Sequence, residues 1–591
     1  MIWTIRAKIR FARYSNKNMA KKLNIKINGK AYKVDSDQTI LDVAKKNGID
    51  IPHLCVHPDF PVKGNCRVCC VEVKGAKRLM PSCATKVYEG LEVKTETERV
   101  KKSRNMNLEL IFAEHVEKCA TCPWRFECPL LDAVKKYNLK LTRFRDRKGV
   151  RKVYKFQNAV EIDGSQCIDC GNCVDACALM QDIHFLKFAG KGHRQEIVPR
   201  TKEGFKCILC GQCTIHCPVS AAQEQYEVGH VEEILRKKRE SGKILVAQFA
   251  PSVRVAIGED FGLPYGKDTT GKITASLRKM GFDYVFDVNF GADFTTIVEA
   301  KELLERLGQK KPKLPMFTSC CPGWVNYIEL YRPDLIPNLT TSRSPHMHLA
   351  GIVKTMWAKK MSIKPENIEL VSIMPCTAKK YEARRPEMKI GKLFAIDHVL
   401  TTRELSFMFK KNNVDFANIK PEKNDDPLGQ FTGAAALFGG SGGVMESALR
   451  TAAYFACGSK KTKACVGKID YGEARGLAGI KEATVKVAGA KLRIAVVNGI
   501  GNIKPVLANL DKYDYVEVMA CPGGCIGGGG QPFPIDDEIR QKRIEALYKI
   551  DFKNKLRKSY ENEAAMEAVE WMEKNKLNRK VVHTKYRKRS S

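Results

Sequence analysis

Acidic residues are the scarce charge in this sequence: 66 Asp and Glu stand against 101 Lys and Arg, a formal net charge of +35 at pH 7. Tryptophan is rare, at 5 in 591 residues. No apolar run reaches the roughly 18 residues that a membrane-crossing helix requires, so no membrane span is expected. The basic residues are spread through the chain without a recognisable nucleic-acid module. Binding of nucleic acid is therefore not expected, and the charge suits steering of an acidic protein partner, with general solubility as the bland alternative. The length allows several domains and at least one large core.

No Asp or Glu precedes Asp35. MIWTIRAKIRFARYSNK has the Arg-rich, acid-free character of an organelle transit peptide, and residues 1–22 are expected to be a targeting segment. Met19 as the start of a bacterial protein is the competing reading.

What is abundant is cysteine, 23 in all and mostly in short repeated spacings, which reads as metal ligation under reducing conditions rather than disulfides. LNIKINGKAYKV alternates around Asn28-Gly29 as a hairpin does. Cys55, Cys66, Cys69 and Cys83 follow, spaced so that a loop wraps a small cluster and a later strand supplies the last thiolate, with zinc as the alternative. Cys70 is expected to face away from them. In HVEKCATCPWRFEC, His115, Cys119, Cys122 and Cys128 could hold zinc or a 4Fe-4S cluster, and the position between two iron–sulfur modules favours the cluster.

The strongest pattern is a repeat. Cys167, Cys170, Cys173 and Cys177 share C-x2-C-x2-C-x3-C spacing with Cys207, Cys210, Cys213 and Cys217. In two-cluster ferredoxins of this pattern the fourth cysteine of each run serves the other cluster, so Cys177 joins the second trio and Cys217 the first. These modules in series read as an electron wire.

From about residue 230 the pattern becomes α/β, with strand-like KILVAQF, YVFDV, IELVSIM, LRIAVV and YVEVM. Three cysteine sites follow strand or loop endings, TSCCPGW, MPCTAKKYE and EVMACPGGCIGGGGQP. Open α/β sheets build sites beyond the carboxyl ends of their strands, so these distant cysteines are expected to meet in one buried pocket.

Those three stretches resemble the active-site signatures of iron-only (FeFe) hydrogenases, and the upstream modules resemble the accessory domains of the long form. The resemblance runs from residue 23 to about 550. It implies a multidomain α+β and α/β chain: a β-grasp 2Fe-2S ferredoxin-like domain at 23–98, a one-histidine/three-cysteine 4Fe-4S domain at 99–138, a bacterial-type two-cluster ferredoxin at 157–228, a large two-lobed α/β H-cluster domain at 229–560 and a basic tail at 561–591. The implied cofactors are one 2Fe-2S cluster, three 4Fe-4S clusters and an H-cluster, a cubane joined through cysteine to a two-iron unit carrying CO, CN and a bridging dithiolate. By position, Cys321, Cys376, Cys521 and Cys525 would hold the cubane, with Cys525 bridging. Cys320 would pass protons, Glu299, Glu302 and Thr340 would lead them toward solvent, and Lys379 would contact a cyanide. Ala250, Pro251, Ser252, Met374 and Met519 would line the two-iron unit, and Ser441 would lie in a further pocket loop.

The implied activity is reversible reduction of protons to H2 with electrons from ferredoxin or a similar acidic carrier, with H-cluster maturation proteins as partners. A partner subunit that oxidises NADH is the other donor. The alternative function is a non-catalytic iron–sulfur subunit of an NADH-dehydrogenase-like complex. The transit-like segment then implies the matrix of a hydrogenosome or mitochondrion-related organelle, against the cytoplasm of an anaerobe. Cys457 and Cys465 lack a partner motif and are read as structural thiols. His346 and His348 are assigned no role.

Overall fold

The computed structural model describes residues 21–590 other than Thr121, Glu203, 459–466 and 468–469. The expected targeting segment therefore lies outside the described residues except at its end, as does Cys465. The chain forms two compact units.

The smaller unit comprises the chain up to Ala120 with Cys128–Val150 and Ser165–Gly171. Strands Lys22–Ile27 and Lys30–Asp35 form the expected hairpin, turning through Asn28 and Gly29, both at positive φ. Glu92–Lys94 runs parallel to the first strand, and Cys70–Val73 pairs antiparallel with Glu92–Lys94 and with Met80–Pro81. The helix Ile40–Lys46 is closed by a reciprocal Thr39–Asp42 capping box, worth about 1 kcal/mol, and its apolar face joins the core with Ile25, Ile27, Val71 and Leu91.

The larger unit contains Thr121–Glu127, Arg151–Gly164 and everything from Asn172 onward. It carries two four-stranded sheets. In one, Ile244–Phe249 and Ile368–Met374 are central, flanked by Tyr284–Asp287 and His398–Thr401, all parallel. These central strands are buried almost along their whole length, which is why they read as continuous apolar runs rather than alternations. In the other, Tyr515–Met519 runs parallel to Met316–Phe317 and to Ala490–Asn498, and Ile480–Val487 closes the edge antiparallel. All five strands expected from the sequence are present. Met316–Phe317, His398–Thr401 and Ile480–Val487 were not expected: two are very short, and the last alternates too weakly to stand out.

Two further points bear on the sequence reading. The C-terminal segment is folded: helix Glu563–Lys574 buries Ala565, Ala568, Val569 and Met572 in the core beneath the first sheet. Cys457, read as a thiol, is instead disulfide-bonded. No helix among the described residues is long and apolar enough to cross a membrane.

Candidate active site

In the smaller unit, Cys55 shares a thiol hydrogen bond with Cys66, and Cys69 with Cys83. The Cys83 thiol is pushed up by its bond to Cys69, by burial and by the charges of Cys69, Cys55 and Cys66, so the four form one group. Cys70 is buried apart from that bonding, with Arg67 and Arg104 among its charged neighbours. His115 is buried, with Nδ1 2.8 Å from the Gln166 carbonyl oxygen. A second partner on Nδ1 orients the ring and makes Nε2 the candidate ligand atom. Cys119 and Cys128 lie near enough for the charge of Cys128 to add to burial in raising the Cys119 thiol. Cys167 and Cys170 also belong to this unit, whereas Cys122, Cys173 and Cys217 belong to the larger one.

In the larger unit, Cys177 lines one cavity with Cys207, Cys210 and Cys213. Cys177, the fourth cysteine of the first run, thus lies with the second trio.

The main site lies where parallel strands of both sheets end. Ile244–Phe249 leads into Ala250 and Pro251, Met316–Phe317 into Cys320 and Cys321, Ile368–Met374 into Cys376, and Tyr515–Met519 into Cys521 and Cys525. All of these, with Met374, Met519 and Lys379, line one cavity. Burial pushes the thiols of Cys321, Cys376, Cys521 and Cys525 up, Cys376 to about 12, and for Cys376, Cys521 and Cys525 the charge of neighbouring cysteines adds to it. Without a metal these thiols stay protonated; a bound cation would displace the protons and offset the thiolate charge, and an all-sulfur donor set suits an iron–sulfur cluster or zinc. Zinc would leave the remaining apolar space and the cation at its wall unexplained.

That cation is Lys379. Its Nζ donates to the Cys320 carbonyl at 3.0 Å and to Glu382 Oε2 at 2.6 Å. Burial opposes the ammonium, but Glu382 outweighs it and raises the Lys379 pKa. Glu382, despite burial, is held down at about 2 by Lys379 and His346. His346 Nε2 lies 2.7 Å from the same carboxylate oxygen, and Nδ1 lies 3.2 Å from Ser372 Oγ. Burial, with Lys379, lowers His346 to about 4, so the ring is neutral. His346 itself lines the cavity, which the sequence reading missed.

Ser252 and Ser441 are buried but do not line the cavity. Ser441 N instead donates to Gly523 O at 3.0 Å. Glu299, Glu302 and Thr340 do not line the cavity. Tyr515 Oη donates to Glu299 Oε1 at 2.7 Å, and burial raises Glu299 to about 8. Thr340 Oγ1 donates to Glu302 Oε2 at 2.7 Å.

The glycine run after Cys525 has a steric reason. A Cβ on Gly529 would lie 2.6 Å from the backbone of Gly211, so the loop beside Cys210 can approach the loop beyond Cys525 only with glycine at both positions. Gln212 Nε2 donates to Gly527 O at 2.9 Å, and Thr214 Oγ1 to Gly529 O at 2.6 Å. Cys521 Sγ is then 3.8 Å from the Cys210 carbonyl oxygen. The ferredoxin-type cysteine cage and the main cavity share a wall.

Residues 243–529 match the family described as the iron only hydrogenase large subunit, C-terminal domain. The chain is 39% identical over 589 residues to the NADP-reducing hydrogenase subunit HndD of Solidesulfovibrio fructosivorans, spanning 96% of this chain and 99% of that protein. It belongs to the iron-only hydrogenase family. Iron hydrogenase 1 of Clostridium pasteurianum is 38% identical over 579 residues, 95% of this chain and 99% of its own. A variant of the apo FeFe-hydrogenase HydA1 from Chlamydomonas reinhardtii superposes with a TM-score of 0.53 at 39% identity, over 61% of this chain and 99% of that one. Upstream, 20–98 match a 2Fe-2S cluster binding domain, 104–143 the iron–sulfur binding region of NADH-ubiquinone oxidoreductase-G, and 166–222 a 4Fe-4S dicluster domain. Residues 537–589 match the iron hydrogenase small subunit.

Within this iron-only hydrogenase the sequence reading also missed Glu382 and Glu517. Glu382 was legible as a partner three residues after Lys379 on one helix. Glu517, buried in a strand, accepts from Gly442 N at 2.6 Å and Met445 N at 2.7 Å at the start of helix Gly443–Ala456, a contact without a local signal.

Proposed function

We propose that the chain interconverts two protons and two electrons with H2 at a cofactor that Cys321, Cys376, Cys521 and Cys525 would hold. One observation carries this reading: four thiols, a fifth free thiol at Cys320 and a buried ammonium at Lys379 enclose one cavity that shares a wall with the Cys210 cage. An electron-transfer subunit without a terminus has no use for that enclosure.

When bound, the H-cluster supplies the redox and proton-binding chemistry. The protein's residues do the rest. Lys379, held by Glu382 and by the Cys320 carbonyl, presents fixed positive charge to an anionic ligand. Ala250, Pro251, Met374 and Met519 exclude water, and Ser252 supports that wall from behind. Cys320 delivers protons to the cavity, resupplied through Glu299, which is protonated at neutral pH, and through Thr340 and Glu302.

The further assignments are one 2Fe-2S cluster at Cys55, Cys66, Cys69 and Cys83, a 4Fe-4S cluster at His115, Cys119, Cys122 and Cys128, and two 4Fe-4S clusters in the ferredoxin repeat. Electrons reach them from an acidic ferredoxin. A partner subunit that draws on a nicotinamide is the second donor class, supported by a relative named as an NADP-reducing hydrogenase subunit. Maturation proteins supply the two-iron unit, and the Arg-rich first residues direct the chain to an organelle matrix.

The test is an infrared spectrum of anaerobically matured protein. Bands of metal-bound carbonyl and cyanide are expected; their absence from active, iron-loaded protein would sink the proposal.

A further inference from the structure

Glu302 poses a problem for a relay that ends on it, because protein donors already occupy its acceptor positions. Oε1 takes Arg306 Nη2 at 2.5 Å and the Thr341 amide at 3.1 Å. Oε2 takes the Thr340 hydroxyl at 2.7 Å, the Thr341 hydroxyl at 3.0 Å and the Thr341 amide at 3.0 Å. A carboxylate offers about four lone-pair sites, so solvent has no vacant one here. The Glu302 side chain is only partly exposed, so a proton that enters without breaking one of these bonds passes through a group already bonded to it. Arginine does not release protons in this range, and amides do not carry them. Of the two hydroxyls, that of Thr340 is fully buried and that of Thr341 belongs to an exposed residue, so Thr341 is the outward one.

Thr341 Oγ1 lies 2.8 Å from His583 Nδ1. This contact is built into the fold. Ser342 and His583 form an antiparallel bridge, in which Arg343 N donates to Val582 O at 2.9 Å and Thr584 N to Thr341 O at 2.8 Å. His583 is half-buried on the wall of a cavity of about 400 Å3 whose rim carries the exposed Lys301, Glu305 and Glu573. The imidazole thus has one nitrogen on the relay and its body at an opening to water.

We infer that His583 is the port through which protons are loaded onto Glu302. This rests on the relay reading given above. A solvent proton adds at Nε2, and the imidazolium passes its Nδ1 proton to the Thr341 oxygen. Thr341 in turn gives its own hydroxyl proton to Glu302 Oε2. One proton moves and no electron does; the ring is left protonated at Nε2, and the cycle closes when it turns Nδ1 to the water of the cavity, takes a proton there and releases the one on Nε2. The groups facing the ring set its working range. Burial lowers the His583 pKa, Glu302 and Glu305 oppose that, and Arg343 reinforces it. Lys301 is neutralised by Glu573 at 3.0 Å, and Arg306 by Glu302.

The test compares matured, full-length holoenzyme variants in dye-driven H2 evolution from pH 6 to 9 in dilute buffer. H583Q is expected to lower turnover roughly tenfold and to flatten the pH profile, with added imidazole restoring most of the loss. T341V is expected to show the same loss without imidazole rescue, because the bridging hydroxyl is gone, and it serves if H583Q does not fold. Independently of turnover, 15N NMR of histidine-labelled protein should show the His583 titration midpoint moving down in E302Q. If H583Q and T341V keep wild-type turnover across the range while E302Q collapses, the port is wrong and the relay stands. If E302Q also keeps full turnover, the relay itself falls.

Discussion

The two units assemble cysteine cages in opposite ways. In the smaller one, Cys55, Cys66, Cys69 and Cys83 come from a single loop and the adjacent strand, so short-range spacing brings the thiols together. In the larger one, Cys321, Cys376, Cys521 and Cys525 follow three strands from two sheets, and only completed folding joins them. A local cage can be lost or altered without touching the rest of the molecule. A cage made from sheet ends is tied to the core, to the Lys379–Glu382–His346 chain and to the loop around Cys210.

The sharpest way to break this comparison is to remove one ligand from each cage. C376S is expected to abolish H2 turnover with every electron donor and to lose the metal carbonyl and cyanide bands. C69S should lose only the 2Fe-2S signal in electron paramagnetic resonance and keep those bands and dye-driven turnover. Loss of the infrared bands in C69S would show the cages to be interdependent.

Next in size, C320A should lower turnover by about 10²- to 10⁴-fold, the range of a positioned proton-transfer group, with the infrared bands retained. Near-normal turnover would remove Cys320 from the proton path. G529A tests the shared wall. Its methyl meets the Gly211 backbone at 2.6 Å, an overpacking worth about 1–3 kcal/mol, so ferredoxin-driven turnover should fall more than dye-driven turnover. Equal rates with both donors would make the contact incidental.

The smallest effect is a matter of pH. Glu299 has an ordinary value of 4.5 and is raised to about 8 in the fold, so the folded state holds the extra proton. Its contribution to stability is fully present below 4.5 and is lost as pH rises through about 8. E299Q removes that dependence. Its melting temperature relative to wild type should therefore rise between pH 5 and 8.5, and a constant difference would place the titration elsewhere.

The short spacings were readable because ligands separated by two or three residues can reach one cluster from a single turn of chain. Cys167 to Cys173 and Cys207 to Cys213 are of this kind, and the hairpin at Asn28-Gly29 and the buried strands were readable from equally local patterns. Lys379 and Glu382 were readable in principle as helix neighbours. His346 was not, because a histidine after SP carries no pattern, and its meaning comes from Glu382 on a helix and Ser372 on a strand. Tyr515, Glu517 and His583 are of the same kind, each partnered with a residue far along the chain.

The amino-acid order alone determined which thiols are available, the local frames that group most of them, and the strand endings from which the distant ones emerge. Packing decided that three endings face one cavity, that Gly211 and Gly529 touch, and that the C-terminal segment brings His583 within 2.8 Å of Thr341. The reason is range: covalent spacing constrains atoms over a few residues, whereas burial of the two sheets fixes positions between segments that the chain itself leaves independent.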